Sequence, residues 1–337
     1  MPRRTFRQAI NETLVQEMRR NPQVILIGED IAGGTGCEGD DDAWGGPLGV
    51  TKGLIREFGP NRVLDTPISE AAFMGAAIGA ALHGLRPVVD LMFNDFISVC
   101  FDQVCNQAAK SHYMYGGQDT VPVTIRANTG AGISTAAQHS QSLHSIFTFF
   151  PGLKVVVPAS PYEAKGLLTT AIRDDDPVIY LETKLLYDME EDVPDEPYEI
   201  PFGEANIVRD GDDVTVVAVG RMVHVAVEAA TRLARKGIEC QVIDPRTTSP
   251  LDTETILESV EETGRLVVVD EATPRCSFAT DVSALVAQEG FDFLKAPVRM
   301  VTAPFTPVPF ASNLEQLYMP GPEQVSEAVE LVAGYAR

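Results

Sequence analysis

Between Thr5 and Arg20, apolar residues return at helical spacing: Phe6, Ile10, Leu14 and Met18 mark one face of an amphipathic helix. Beyond it the pattern changes to short, mostly apolar runs: Val24 to Gly28, Arg62 to Leu64, Arg86 to Met92, Val121 to Arg126, Leu153 to Val157 and Pro177 to Leu181. Helical stretches separate several of them, at Val50 to Phe58, Glu70 to Ala81, Phe96 to Lys110 and Tyr162 to Arg173. Strands that are apolar on both faces and alternate with helices predict an α/β fold, a parallel sheet covered on both sides. The acidic, proline-rich stretch Asp188 to Pro201 reads as a linker. After it, strands at Val214 to Val219, Glu239 to Ile243, Leu266 to Asp270 and Val298 to Thr302 alternate with helices at Met222 to Lys236, Asp252 to Glu262, Ala279 to Gln288 and Glu323 to Ala333. The expected organisation is a first domain over 4–181, a linker over 182–205 and a smaller α/β domain over 206–333.

One stretch organises the first domain. Asp65-Thr66-Pro67-Ile68-Ser69-Glu70 links an apolar strand to a helix with few large side chains, Ala71 to Ala81, against which something should pack closely. Pro67 holds the connection extended, Ser69 is a favoured N-cap, and Glu70 falls in the first turn, where the helix dipole favours a carboxylate. A carboxylate placed there is expected to be partly buried and to need a proton or a donor. A purely structural capping role is the alternative on local grounds.

Composition narrows the possibilities. A net charge of −22 over 337 residues opposes nucleic acid or an anionic membrane as partner and suits a partner with a basic patch. No apolar run reaches a membrane span, and Met1-Pro2-Arg3-Arg4-Thr5 lacks the apolar core of a signal peptide. Five cysteines without CxxC spacing argue against a disulfide framework, so a cytoplasmic setting is expected. GxGxxG after a strand, GxSxG and paired metal-ligand spacings are all missing, which disfavours a dinucleotide site, a serine hydrolase and a zinc centre. Glu29, Glu70, Phe96 and His139 each follow an expected strand, and sites in such sheets lie at the carboxyl ends of strands. The glycine-rich exit Asn128-Thr129-Gly130-Ala131-Gly132 leads to His139. His83, His112, His144 and His224 read as structural, His144 least clearly.

Asp65-Thr66-Pro67-Ile68-Ser69-Glu70, Gln138-His139-Ser140-Gln141, Pro151-Gly152-Leu153-Lys154-Val155-Val156 and Ala164-Lys165-Gly166-Leu167-Leu168 together resemble the beta subunit of the thiamine diphosphate-dependent component of 2-oxoacid dehydrogenase complexes. The resemblance implies a pyrimidine-binding domain followed by a transketolase C-terminal-like domain, in an α2β2 heterotetramer. The alpha subunit of that family carries the segment that holds magnesium and the pyrophosphate, and nothing in this sequence matches it. Glu70 corresponds to the glutamate that hydrogen-bonds the aminopyrimidine ring and Phe96 to the aromatic that stacks on it. Ile68 and Met92 match apolar neighbours of the cofactor, Glu29 an acidic one, and His139 the histidine at the active-site mouth. Val123, Ala171, Ile172, Asp174 and Asp176 match a structural potassium site, with Asp176 standing where relatives are expected to have Asn.

Within the family the resemblance is to the acetoin-cleaving branch, through Asp42-Ala43-Trp44-Gly45-Gly46-Pro47-Leu48-Gly49, Asp270-Glu271-Ala272 and Val301-Thr302-Ala303-Pro304. Pyruvate or a branched-chain 2-oxoacid is the alternative substrate, and departures at Phe93-Asn94 and Leu143-His144-Ser145 are expected at the site mouth. The implied partners are the alpha subunit and the lipoyl-bearing acyltransferase core. A mainly docking subunit and half of a split sugar-phosphate transketolase are the alternatives of other kinds.

Overall fold

The computed structural model describes residues 1–32 and 45–335. Asp42, Ala43 and Trp44 of the branch-marking segment lie outside the described residues. The chain divides into two compact units.

The first unit comprises 1–129, 146–182 and 186–202. Along this part of the chain run β1 (Arg3–Thr5), α1 (Phe6–Arg20), β2 (Val24–Glu29), α2 (Leu54–Phe58), β3 (Val63–Thr66), α3 (Glu70–Leu82) and β4 (Arg86–Phe93). There follow α4 (Ala109–Met114), β5 (Thr124–Thr129), α5 (His144–Thr148), β6 (Lys154–Val156), α6 (Pro161–Arg173), β7 (Val178–Thr183) and β8 (Glu190–Asp192). The strands lie in the order β6-β7-β5-β4-β2-β3, and β2 runs parallel to both β3 and β4, as β4 does to β5 and β6 to β7. The carboxyl ends of β3, β2, β4 and β5 therefore form one continuous rim.

The opening helix behaves as its pattern foretold. Thr5 and Gln8 form a reciprocal capping box at its start, and Phe6, Ile10, Leu14 and Met18 are buried with Leu26, Leu167, Leu168 and Tyr180. Arg62 ties β3 to β2 by donating to the carbonyls of Met18, Asn21 and Val24.

Three local expectations change. The strand expected at 121–126 begins later, at Thr124, because Pro122 has no N–H to give and the Val121 N–H pairs with Asp175 instead. The helix expected from Phe96 to Lys110 is a 3₁₀ turn over Asn94–Val99, a π-helical turn over Gln103–Ala108 and only then α4. Departures of that kind are common near functional sites. The stretch expected as a linker packs along the first unit: β8 pairs antiparallel with β1, and Ile200 is buried.

The Ala164-Lys165-Gly166 motif explains that packing. Lys165, fully buried, donates to the carbonyls of Pro194 (2.6 Å) and Asp195 (2.9 Å). Gly166 lets Ile200 approach so closely that a Cβ would stand 2.5 Å from its Cγ1. The Ala164 carbonyl accepts from the Tyr180 hydroxyl at 2.8 Å, locking α6 to β7.

The second unit comprises 130–145, 183–185 and 203–337. Its elements are β9 (Asn206–Arg209), β10 (Val214–Ala218), α7 (Met222–Ala234), β11 (Cys240–Asp244), β12 (Thr247–Ser249), α8 (Thr253–Thr263), β13 (Leu266–Asp270), α9 (Phe278–Glu289), β14 (Arg299–Thr302), α10 (Ser312–Tyr318) and α11 (Pro322–Ala333). A sheet of order β14-β13-β10-β11-β9 is parallel except for β9, an antiparallel edge strand with too little apolar pattern to be read from sequence. Among the described residues no helix is long and apolar enough to cross a membrane.

Candidate active site

The rim of the first unit brings Glu29, Glu70, Met92 and Phe96 to the ends of neighbouring strands. Glu70 opens α3 and is 8% exposed. Ser69 does not cap the helix through its side chain; its hydroxyl turns back and donates to the Pro67 carbonyl at 3.0 Å. The helix dipole and first-turn amides thus face the Glu70 end without competition from a capping hydroxyl.

Glu29 ends β2, with Asp30, Asp65 and Glu70 near it. Burial raises its pKa above the ordinary carboxylate value, and the negative charges of Asp30, Glu70 and Asp65 raise it further. Burial and Asp30 likewise raise Asp65, against the N–H groups of Ala32 and Ile31, which pull it down. Four carboxyl groups, those of Glu29, Asp30, Asp65 and Glu70, thus gather at this part of the rim.

Phe96 lies on the 3₁₀ turn after β4, half-buried, with Phe93 set edge-on to it at 5.6 Å between centroids. Asn94 is fully buried beneath this turn. It was expected at the mouth as a departure from the family pattern; it lies in the interior, donating to Asp95 at 3.1 Å. Met92 takes a positive φ of 67°. Ile68 is 75% exposed, and Ala71, Ala72 and Ala76 of α3 are exposed as well. The small residues of this helix were expected to receive a close neighbour; Gly75 meets only Gln103 and Gly79 has open space around it.

His139 falls in the other unit, on the loop 130–145. Two buried carboxylates hold that loop by its backbone. Glu271 accepts the Ala131 N–H at 2.7 Å, and Glu315 accepts those of Gly132 and Ser134, each at 2.8 Å. Gly130, at φ 87°, leaves room for Glu271, whose Oε1 would be 2.8 Å from a Cβ there. Burial raises the Glu271 pKa, while the Ala131 N–H, Arg221 and Lys184 draw it down. Lys184 reaches Thr135 Oγ1 at 3.0 Å and donates to the His139 carbonyl. The sequence assigns no anchoring role to any of the three, because each lies 45 or more residues from the group it holds in place on the loop.

His144, also expected near the mouth, is buried instead, with Nε2 3.2 Å from Asp270 Oδ1. Burial pushes Asp270 up, but His144 and the N–H groups of Ala272 and Ala279 outweigh it and hold the carboxyl below its usual range.

Val123, Ala171, Ile172, Asp174 and Asp176 come together around the start of β7. The Val123 carbonyl accepts from Val178 N–H, that of Ala171 from Thr124 Oγ1, and those of Ile172 and Asp174 from Arg86. Lys154 bridges Asp174 and Asp176 at 2.7 and 3.0 Å.

A buried carboxylate, a half-buried aromatic ring and clustered carboxyl groups at the carboxyl ends of parallel strands place the chain in the class of α/β enzymes whose candidate site lies at such a rim. Comparison with known proteins gives the class its family. Residues 3–189 match the transketolase pyrimidine-binding domain and 203–325 the transketolase C-terminal domain. The chain is 60% identical to the beta subunit of acetoin:2,6-dichlorophenolindophenol oxidoreductase from Cupriavidus necator, over 96% of both chains. It is 58% identical to that of Bacillus subtilis, also over 96% of both, and 45% identical to the pyruvate dehydrogenase E1 beta subunit of Rickettsia felis, over 98% of this chain and 99% of the relative. A split-gene transketolase described as an inactive beta4 tetramer shares the fold at TM-score 0.78, with 24% identity and 99% of each chain covered. The chain belongs to the transketolase-like family of thiamine diphosphate enzymes, among its dehydrogenase beta subunits.

Proposed function

We propose that this chain is the beta subunit of an α2β2 acetoin-cleaving dehydrogenase and supplies the pyrimidine half of a thiamine diphosphate site. The single observation that carries the site reading is Glu70, a buried carboxylate at the start of α3, on the same rim as the half-buried Phe96 ring. The residues fit the group: an acid for a ring nitrogen and flat apolar area for a ring face. When bound, thiamine diphosphate supplies the carbanion chemistry that cleaves a carbon–carbon bond beside a carbonyl. Glu70 would share a proton with the pyrimidine nitrogen, Phe96 and Met92 would hold the ring, Ile68 would extend the apolar contact, and Glu29 would add a carboxyl group beside it. His139 would orient or protonate an incoming lipoyl acceptor.

Exposed Ile68 and the small-residue face of α3 support an alpha subunit as the neighbour there, and magnesium with the pyrophosphate is assigned to that subunit. Potassium at Val123, Ala171, Ile172, Asp174 and Asp176 would have to share the oxygens of Ile172, Asp174 and Asp176 with the Arg86 guanidinium and the Lys154 ammonium, whose charges oppose a further cation there. The protein's negative charge suits docking to a basic module of the lipoyl-bearing acyltransferase core, an interaction that should weaken with salt. Three buried cysteines, Cys100, Cys105 and Cys240, and the exposed Cys276 are all free, which fits a reducing cytoplasm.

The acetoin reading rests on the two acetoin relatives at 60% and 58% identity against 45% for the pyruvate relative. Its test is co-expression with the alpha partner and assay of dye reduction with acetoin, pyruvate and branched 2-oxoacids. Acetoin should be the preferred substrate; clear pyruvate turnover without acetoin turnover would overturn the assignment.

A further inference from the structure

Met92 is a non-glycine residue held at φ 67°, a backbone state that costs a bulky residue free energy unless its surroundings impose it. Both of its backbone polar groups are engaged by side chains. Its N–H donates to Asp90 Oδ1 at 2.9 Å, and its carbonyl accepts from Asn128 Nδ2. Those two side chains are themselves fixed from below. Asp90 Oδ2 receives Arg126 Nη1 at 3.1 Å, and Asn128 Oδ1 faces the Tyr187 hydroxyl. Arg126 closes a bidentate pair with Glu182, at 2.7 and 2.9 Å, and the Tyr187 hydroxyl stands 2.6 Å from Glu182 Oε2. Arg126, Asn128, Glu182 and Tyr187 are all buried, and with Asp90 and Met92 they line a small cavity closed on one side by the 45–51 segment.

A buried ion pair of this kind is weak evidence for stability, since apolar residues of equal volume often serve as well. Its geometry accounts for something more specific: every charge and amide in it leads to the backbone of one residue. We infer that Arg126, Glu182, Tyr187, Asn128 and Asp90 are positioning residues that force the backbone of Met92 into its unusual state and so aim its side chain at the bound pyrimidine ring. This rests on the assignment of Met92 as a cofactor contact made above.

The test uses the subunit co-assembled with its alpha partner and measures thiamine diphosphate affinity by titration calorimetry, alongside kcat at saturating cofactor. Asn128→Ala and Tyr187→Phe should each weaken cofactor affinity by about tenfold, the usual effect of losing one buried hydrogen bond that holds a contact in place. Tyr187→Phe keeps the ring and its packing, so it reports even where Asn128→Ala folds poorly. The decisive comparison repeats both in a Met92→Ala background, where neither should weaken affinity further, because the network acts through that side chain. Equal losses in the two backgrounds, or none in either, would overturn the inference. No loss from Met92→Ala alone would instead remove the underlying contact assignment.

Discussion

Replacing Glu315 with Gln tests whether the loop that carries His139 is held by its backbone within the second unit. Glu315 is 2% exposed and accepts the N–H groups of Gly132 and Ser134, both at 2.8 Å. A hydrogen bond to a charged group contributes roughly 1.5–3 kcal/mol. Gln keeps one acceptor oxygen, so one amide stays paired while the other faces an NH₂ group; the expected cost is about 2–3 kcal/mol. The loop has reason to let go, because Ser134 and Ala136, neither of them glycine, hold positive φ, at 55° and 60°. Hydrogen exchange on the assembled enzyme should then show the amides of residues 132 and 134 opening about 30- to 150-fold faster, at 1.4 kcal/mol per tenfold. Lys184 still holds the His139 carbonyl, so the loop loosens without leaving. Acyl transfer to a lipoyl domain should fall more than dye reduction, which does not need that acceptor. Unchanged exchange at both amides, with both activities intact, would refute the reasoning.

Glu70→Ala should abolish turnover while the heterotetramer still forms, measured by activity and by sedimentation; most activity retained would end its catalytic role. Gly166→Ala places a methyl 2.5 Å from Ile200 Cγ1 and 2.7 Å from Tyr198 Cε2, so it should destabilise by about 1–3 kcal/mol and expose 196–202 to protease. Asp270, held below the ordinary carboxylate value of 3.8, contributes stability that is complete above that pH and is lost as pH falls through its lower folded value. His144→Gln removes its main partner, so acid unfolding followed by circular dichroism should begin at a higher pH than in the parent.

The strands were legible because burial on both faces leaves an unbroken apolar run, and β2 and β13 carry one. Glu70 could be singled out because its neighbours in sequence, an apolar strand, Pro67 and a helix of small residues, are also its neighbours in space. The network under Met92 could not, since Arg126 finds Asp90 and Glu182 at separations of 36 and 56 residues, and no local pattern ties them. The same holds for Glu271 and Glu315, which reach the His139 loop across 140 and more than 180 residues. Ser69 does stand at the N-cap position before Glu70, but its own Pro67 carbonyl, two residues away, takes the hydroxyl that a side-chain cap would use.

The most direct measurement is thiamine diphosphate titration into the purified chain alone and into the same chain assembled with its alpha partner. The expected result is tight, magnesium-dependent binding and turnover only in the assembly, with Glu70→Ala abolishing turnover there. Full cofactor binding and catalysis by the isolated chain would contradict the claim that it holds one ring of the coenzyme and leaves the charged tail to another polypeptide.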